Sequence, residues 1–268
     1  MAKVMGVLNV TPDSFSDGGD FFSADLAVTH AKKLLADGAS FVDVGAESTR
    51  PGSVAVNEEE EWNRVSPVLH QLCSMNLGPQ ISLDTRRDET ILRAVKLGVG
   101  TANNICGLYD LLTLRELSRI PNFHYVCMHS QGEPATMQKN PLRGAGAIEV
   151  ISDYFATCYE KLRSVGFRHE SLYFDPGIGF AKDDSANLRI LGNVRAWSTR
   201  YQMLVGVSRK SFIGRLFGIE DAKNRDAASK AFEFSAVYAG ALMIRTHEVG
   251  SLVNMLRMTD SFSATEGS

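Results

Sequence analysis

Cysteine is scarce in this sequence and never closely paired: Cys73, Cys106, Cys127 and Cys158 stand far apart, with no C-x-x-C spacing. That argues against a zinc site or a disulfide framework and for reduced, mostly buried thiols in a cytoplasmic protein. Long apolar runs are missing too. None approaches the ~20 residues that a membrane-spanning helix needs, so no membrane is expected as a partner. An apolar run already begins at Val4, which leaves no room for a signal peptide. No Lys/Arg block or basic stripe occurs and the net charge is −3, so nucleic acid is not an expected partner either. No G-x-G-x-x-G turn follows the first apolar run, which removes the usual mark of a dinucleotide fold. No G-x-S-x-G elbow is present, and no Ser or Cys pairs recognisably with a His, so no covalent intermediate is implied.

What is present is a repeated event. The chain has 268 residues, 44% hydrophobic and 22% charged, which suits a soluble protein with a large core. Apolar runs at Val4–Val10, Ser40–Ala46, Gln80–Thr85, Thr101–Cys106, His124–His129, Ser171–Asp175, Gln202–Ser208 and Ala241–His247 read as strands. Helical patterns follow them near Ala24–Ala36, from Glu58, and near Asp88–Leu97, Leu111–Arg119, Ala147–Val165, Ser185–Ala196, Arg225–Ala239 and Ser251–Met258. The acids Glu58 to Glu61 suit a helix N-terminus. Eight strand-then-helix units without a linker predict a single α/β domain over residues 1–260, a closed (β/α)8 TIM barrel of eight parallel strands, with 261–268 a frayed polar tail. An open doubly wound sheet is the second choice.

The loops entering strands are bland. Those leaving strands carry Asn9, Thr49, Arg50, Asp84, Asn103, Asp175, Lys210, Arg245 and His247. In such a barrel the strand C-terminal ends form the active face, so these residues should ring one mouth. Asp84 and Asp175 end apolar strands and persist there only if paired or hydrogen-bonded. Two carboxylates, an amide and an ammonium suit a flat, amide-rich heterocycle, whose ring N–H and amino groups the carboxylates can accept. A metal cluster is the rival, although it would want more carboxylates or histidines at one strand end. Ser208-Arg209-Lys210-Ser211 and Arg245-Thr246-His247 end strands seven and eight, where barrels often bind phosphate. Ser211 should open a short helix, Ser211–Phe217, whose N–H groups attract an anion. Asn9 could hold one Mg²⁺ whose other ligands are water and phosphate. His129 stays ambiguous. His30, His70, His124 and His169 read as structural or solvated, and Trp62 and Trp197 as packing.

Taken together, these motifs resemble the dihydropteroate synthases. The matching stretches are Gly6–Gly19, Asp43–Gly52, Asp175–Phe180, Ser208–Ser211 and Arg245–His247, in family order along nearly the whole chain. The resemblance implies a transferase of folate biosynthesis, a sulfonamide target. It joins (7,8-dihydropterin-6-yl)methyl diphosphate to 4-aminobenzoate with release of pyrophosphate and with Mg²⁺ as cofactor. By that resemblance Asp84, Asn103, Asp175 and Lys210 hold the pterin, with Met128 and Arg245 against its faces. Arg245 and His247 bind the diphosphate, joined by Thr49, and Asn9 ligates Mg²⁺. Thr49, Pro51, Phe180 and Ser211 frame the aminobenzoate. Asp17, Phe15 and Arg50 sit on lid-like loops, and Asp17 and Arg50 join Lys210, Arg245 and His247 as catalytic candidates. A homodimer is expected. Two departures from the family pattern stand out: Asn104, which would remove a carboxylate beside the pterin, and Ser130. A methyltetrahydrofolate-dependent methyltransferase and a non-catalytic pterin-binding paralogue are the competing readings.

Overall fold

The structure is a computed structural model, and it describes residues 1–11, 19–47, 56–132 and 140–265. Strands and helices alternate: β1 (Lys3–Asn9), α1 (Gly19–Ala36), β2 (Phe41–Gly45), α2 (Glu58–Ser74), β3 (Ile81–Asp84), α3 (Asp88–Leu97), β4 (Thr101–Asn104) and α4 (Leu111–Leu117) come first. The second half continues with β5 (His124–Met128), α5 (Gly146–Ser164), β6 (Leu172–Asp175), α6 (Asp184–Ser198), β7 (Gln202–Gly206), α7 (Ser211–Phe217), α8 (Asp226–Tyr238), β8 (Met243–Thr246) and α9 (Val249–Thr265). The eight strands pair in sequence order, all parallel, and β8 closes on β1 with Met5 beside Arg245. The closed barrel expected from the sequence is therefore present, and the open sheet is excluded.

Alternation along each strand divides the side chains between two cores. Val42, Val44, Leu83, Ala102, Cys127, Phe174, Val205 and Ile244 point outward and pack under the helices. Met5, Phe41, Val126, Tyr173, Leu204 and Met243 fill the barrel itself. Its lower end is plugged by polar and aromatic groups. Lys3 Nζ donates to the Tyr173 hydroxyl at 3.0 Å and lies 5.5 Å from the Phe41 ring centre. His124 sets its edge against Phe41 and Tyr173.

Several element boundaries differ from the sequence reading, among them the following three. Helix α1 starts at Gly19 rather than Ala24. Strand β4 stops at Asn104, whose Oδ1 accepts the Cys106 N–H at 2.8 Å and turns the chain early. Helix α9 runs on to Thr265, into the stretch read as a frayed tail.

Candidate active site

Strand register sets the frame of the site. Asp84 stands beside Asn103 across β3 and β4, Met128 beside Asp175 across β5 and β6, and Gly206 beside Arg245 across β7 and β8. All these residues come from the C-terminal ends of their strands, so their side chains converge on one mouth. The cleft there is lined by Asp84, Asn103, Met128, Asp175, Phe180, Lys210, Arg245 and His247, among others, and spans about 490 Å³ with its open mouth counted. The glycines Gly45 and Gly206 keep the wall thin beside Asp84 and Arg245.

The sequence reading passed over Asp43, which proves central. Its Oδ1 accepts from Ser82 Oγ at 2.6 Å, and its Oδ2 from Asn103 Nδ2 at 2.9 Å and Arg245 Nε at 2.7 Å. Arg245 also donates through Nη2 to Asp84 at 3.1 Å. Asp43 thus locks Asn103 and Arg245 in place from inside β2. One signal was available: a carboxylate in the middle of Phe41–Gly45, where every other residue is buried and apolar or glycine.

Burial and the neighbouring Asp43 carboxylate push Asp84 up to about 7, against the pull of Arg245. Burial also raises Asp175, opposed by the Gly177 N–H that its Oδ1 accepts at 2.7 Å. Lys210 is lowered to about 8 by burial and then by Arg245, and its ammonium lies 4.2 Å from the centre of the Phe180 ring. His247 falls to about 3 through burial and the cations Arg245, Arg209 and Lys210. Ser208 Oγ accepts the His247 backbone N–H at 3.2 Å and lies 2.9 Å from its Nδ1. In the tautomer with hydrogen on Nε2, Nδ1 accepts the Ser208 hydroxyl hydrogen and Nε2–H is left to donate. Ser208 was also missed as a site residue. As a small polar residue at a strand end it carried no signal of its own.

The turn after β6 is built for close approach. Gly177 has φ 65°, and a Cβ there would lie 2.0 Å from the His129 carbonyl oxygen. Only glycine fits. Arg209, just before Lys210, also adopts a left-handed φ of 60° and is held by Asp226 at 2.7 Å.

The remaining expectations fall as follows. Asn9 ends β1 with its side chain exposed, and Ser211 opens α7, also exposed; neither lines the cleft. Asp17, Thr49, Arg50, Pro51 and Phe15 lie outside the described residues. Asn104 is corrected: it is fully buried on the outer side of β4, against the Tyr125 hydroxyl at 3.4 Å, so this departure takes no carboxylate from the cleft. Ser130 donates to the Ile105 carbonyl at 2.7 Å and serves the loop. His129 is now placed, buried behind the turn after β6 with its Nδ1 on Lys182. Among the described residues no group of three or more His, Cys, Asp or Glu could cage a metal.

Comparison with known proteins agrees with this site. Residues 5–247 match the model of the pterin binding enzymes. A dihydropteroate synthase of Neisseria meningitidis serogroup C is 38% identical over 259 residues, 95% of this chain and 90% of that protein. The solved dihydropteroate synthase of Xanthomonas albilineans with 4-aminobenzoic acid superposes with a TM-score of 0.88 at 34% identity, covering 98% of this chain and 93% of the other. That of Burkholderia cenocepacia complexed with 7,8-dihydropteroate gives 0.84 at 32% identity, with 99% and 93% covered. Family model, relatives and cleft agree, and the chain belongs to the pterin-binding enzyme family.

Proposed function

We propose that this chain is a transferase that makes 7,8-dihydropteroate from (7,8-dihydropterin-6-yl)methyl diphosphate and 4-aminobenzoate, the dihydropteroate synthase reaction. The observation that carries this is the joint presence of Asp84, Asn103, Asp175 and Lys210 in one cleft, with Arg245 and His247 beside them. Asp175 and Asn103 accept from and donate to the edge of the pterin, and Lys210 donates to its carbonyl or a ring nitrogen. Asp84, raised to about 7, releases its proton readily when a ligand amino group offers a hydrogen bond to the carboxylate. Arg245 and Met128 lie against the ring faces.

The amine nitrogen of aminobenzoate attacks the pterin methylene carbon. The carbon–oxygen bond to the diphosphate breaks, its electron pair leaves with pyrophosphate, and the extra proton on nitrogen passes to solvent. An aromatic amine needs little activation, so the protein's task is to hold both substrates and to stabilise the leaving group. His247 Nε2–H and the N–H groups on the outer edge of Arg245 donate to the departing phosphate oxygens, and Thr49 joins them. Phe180, Pro51, Thr49 and Ser211 frame the aminobenzoate. Asp17 and Arg50 help to exclude water from the electron-poor methylene.

A Mg²⁺ that arrives with the diphosphate would take one ligand from Asn9, exposed at the end of β1, and the rest from water and phosphate oxygens. Bound there, the ion would offset charge growing on the leaving group. A second copy of this chain is the proposed protein partner, through the outer helices, and the proposed compartment is the cytoplasm. No described helix is long and apolar enough to cross a membrane.

The purified protein with Mg²⁺ should release pyrophosphate only when both substrates are present, with dihydropteroate formed in equal amount. Pyrophosphate release that ignores aminobenzoate, with no dihydropteroate by mass spectrometry, rejects the assignment.

A further inference from the structure

Lys182 is a lysine with only 2% of its surface exposed. It sits seven positions beyond Asp175, just after the turn that follows β6. Its Nζ donates to the Phe180 carbonyl at 2.8 Å and to the His129 carbonyl at 3.3 Å, and lies 3.1 Å from His129 Nδ1. An ammonium has three hydrogens, and here three acceptors meet it. All three are neutral. A buried charge is costly unless it is paired and hydrogen-bonded, and here only neutral acceptors touch it. A Cβ at Gly177 would lie 3.3 Å from this nitrogen, so Nζ sits directly under the turn that begins with Asp175.

We propose that Lys182 is a positioning residue of the pterin site: from beneath the turn it holds Phe180 in line with Lys210 and supplies the positive charge that keeps Asp175 ionised for its ligand. This rests on the pterin role given to Asp175 above.

The charges around Asp175 make the need specific. Lys210 faces it from the start of α7 and Arg245 from β8, both on the cleft side, while His129 lies behind the turn and Asp84 adds negative charge across the cleft. A bound pterin engages Lys210, and a diphosphate engages Arg245. Lys182 lines no part of the cleft and stays with Asp175 throughout. Burial draws Lys182 down to about 7 while Asp175 pulls it back up, and Lys182 in turn favours the Asp175 carboxylate. His129, buried beside a cation, is lowered to about 3 and keeps Nδ1 as an acceptor. The same contacts fix Phe180: its carbonyl is held by Lys182, and Gly179 N–H is held by Asn187 Oδ1 at 2.8 Å.

The test uses protein carrying ¹³C at aspartate and lysine side chains, with the Asp175→Asn spectrum assigning the Asp175 signal. In Lys182→Met, which keeps volume and removes charge, Asp175 titrates at higher pH than in the unaltered protein. Pterin affinity at pH 6 drops about tenfold by calorimetry. An unchanged Asp175 titration, with only a lower melting temperature, overturns the proposal. Asp175→Asn supplies the reciprocal arm and leaves Lys182 in place: the Lys182 signal then titrates at lower pH. A lysine titration that does not move overturns the proposal equally. Both titrations are read without any pterin, so they judge the charge coupling separately from the enzymatic assignment.

Discussion

At the scale of single residues, Asp43 holds Ser82, Asn103 and Arg245 at once, from a position with no exposed surface. Asp43→Asn replaces an acceptor by a donor in that cluster and leaves Arg245 with Asp84 as its partner. Breaking a buried pair in this way should cost about 3 kcal/mol of stability in urea unfolding, with a higher KM for the pterin diphosphate. Asp84 makes a pH prediction. Its folded-state value, about 7, lies above the ordinary 3.8, so the folded protein binds this proton more tightly than the unfolded chain. Its contribution to stability is therefore complete below about 4 and is lost as pH rises through about 7. Asp84→Asn should flatten that part of the stability curve of the ligand-free protein, measured by urea unfolding at pH 4.5 and 7.5. Asp84 and Asp175 were legible in the sequence because each ends an apolar run and is followed at once by polar or turn residues. Asp43 was passed over because it does not end its run, although a lone carboxylate inside an otherwise apolar strand is itself a signal. Lys182 was hidden because a lysine after a loop reads as solvated, and only the fold shows the carbonyls around it.

At the scale of elements, near-continuous apolar runs located all eight strands, since each strand is buried on both faces, and helical patterns located the helices between them. The ends were harder to see where side chains rather than composition stop the element, as Asn104 does at β4. The acidic turn of α2 shows the same limit. Glu58 to Glu61 read as four acids favoured by a helix N-terminus, but Glu61 is buried. It accepts from Thr85 Oγ1 at 2.9 Å and pairs with Arg87 Nη1 at 2.9 Å. Arg87 also pairs with Glu47 at 2.8 Å and donates to the Val56 carbonyl, tying the end of β2, the approach to α2 and the start of α3 together. Burial raises Glu61 despite these partners. Arg87→Ala should therefore destabilise the protein by about 3 kcal/mol, because it strands Glu61 as an unpaired buried acid. Glu61→Gln added to Arg87→Ala should recover part of that loss, and strictly additive effects in a double-mutant cycle would count against the coupling.

At the scale of the whole molecule, the closed barrel and its active mouth were legible because eight repeats of one unit leave few alternatives. Which polar tips bond to one another was not, since that depends on register between strands distant in sequence: Asp43 and Arg245 meet only because β1, flanked by β2 and β8, completes the circle. The proposed association of two copies is tested by sedimentation at micromolar concentration, where a species of about 59 kDa is expected from a 29.3 kDa chain.

The plug formed by Lys3, Phe41, His124 and Tyr173 makes the barrel a well with one opening. A ligand at its bottom cannot be replaced while another rests on top. The pterin, reaching Asp84 and Asp175, must be loaded before aminobenzoate caps it, and aminobenzoate alone should find half a seat. Calorimetry should accordingly record aminobenzoate binding only after a pterin with pyrophosphate has been added, and random-order kinetics would show a second door.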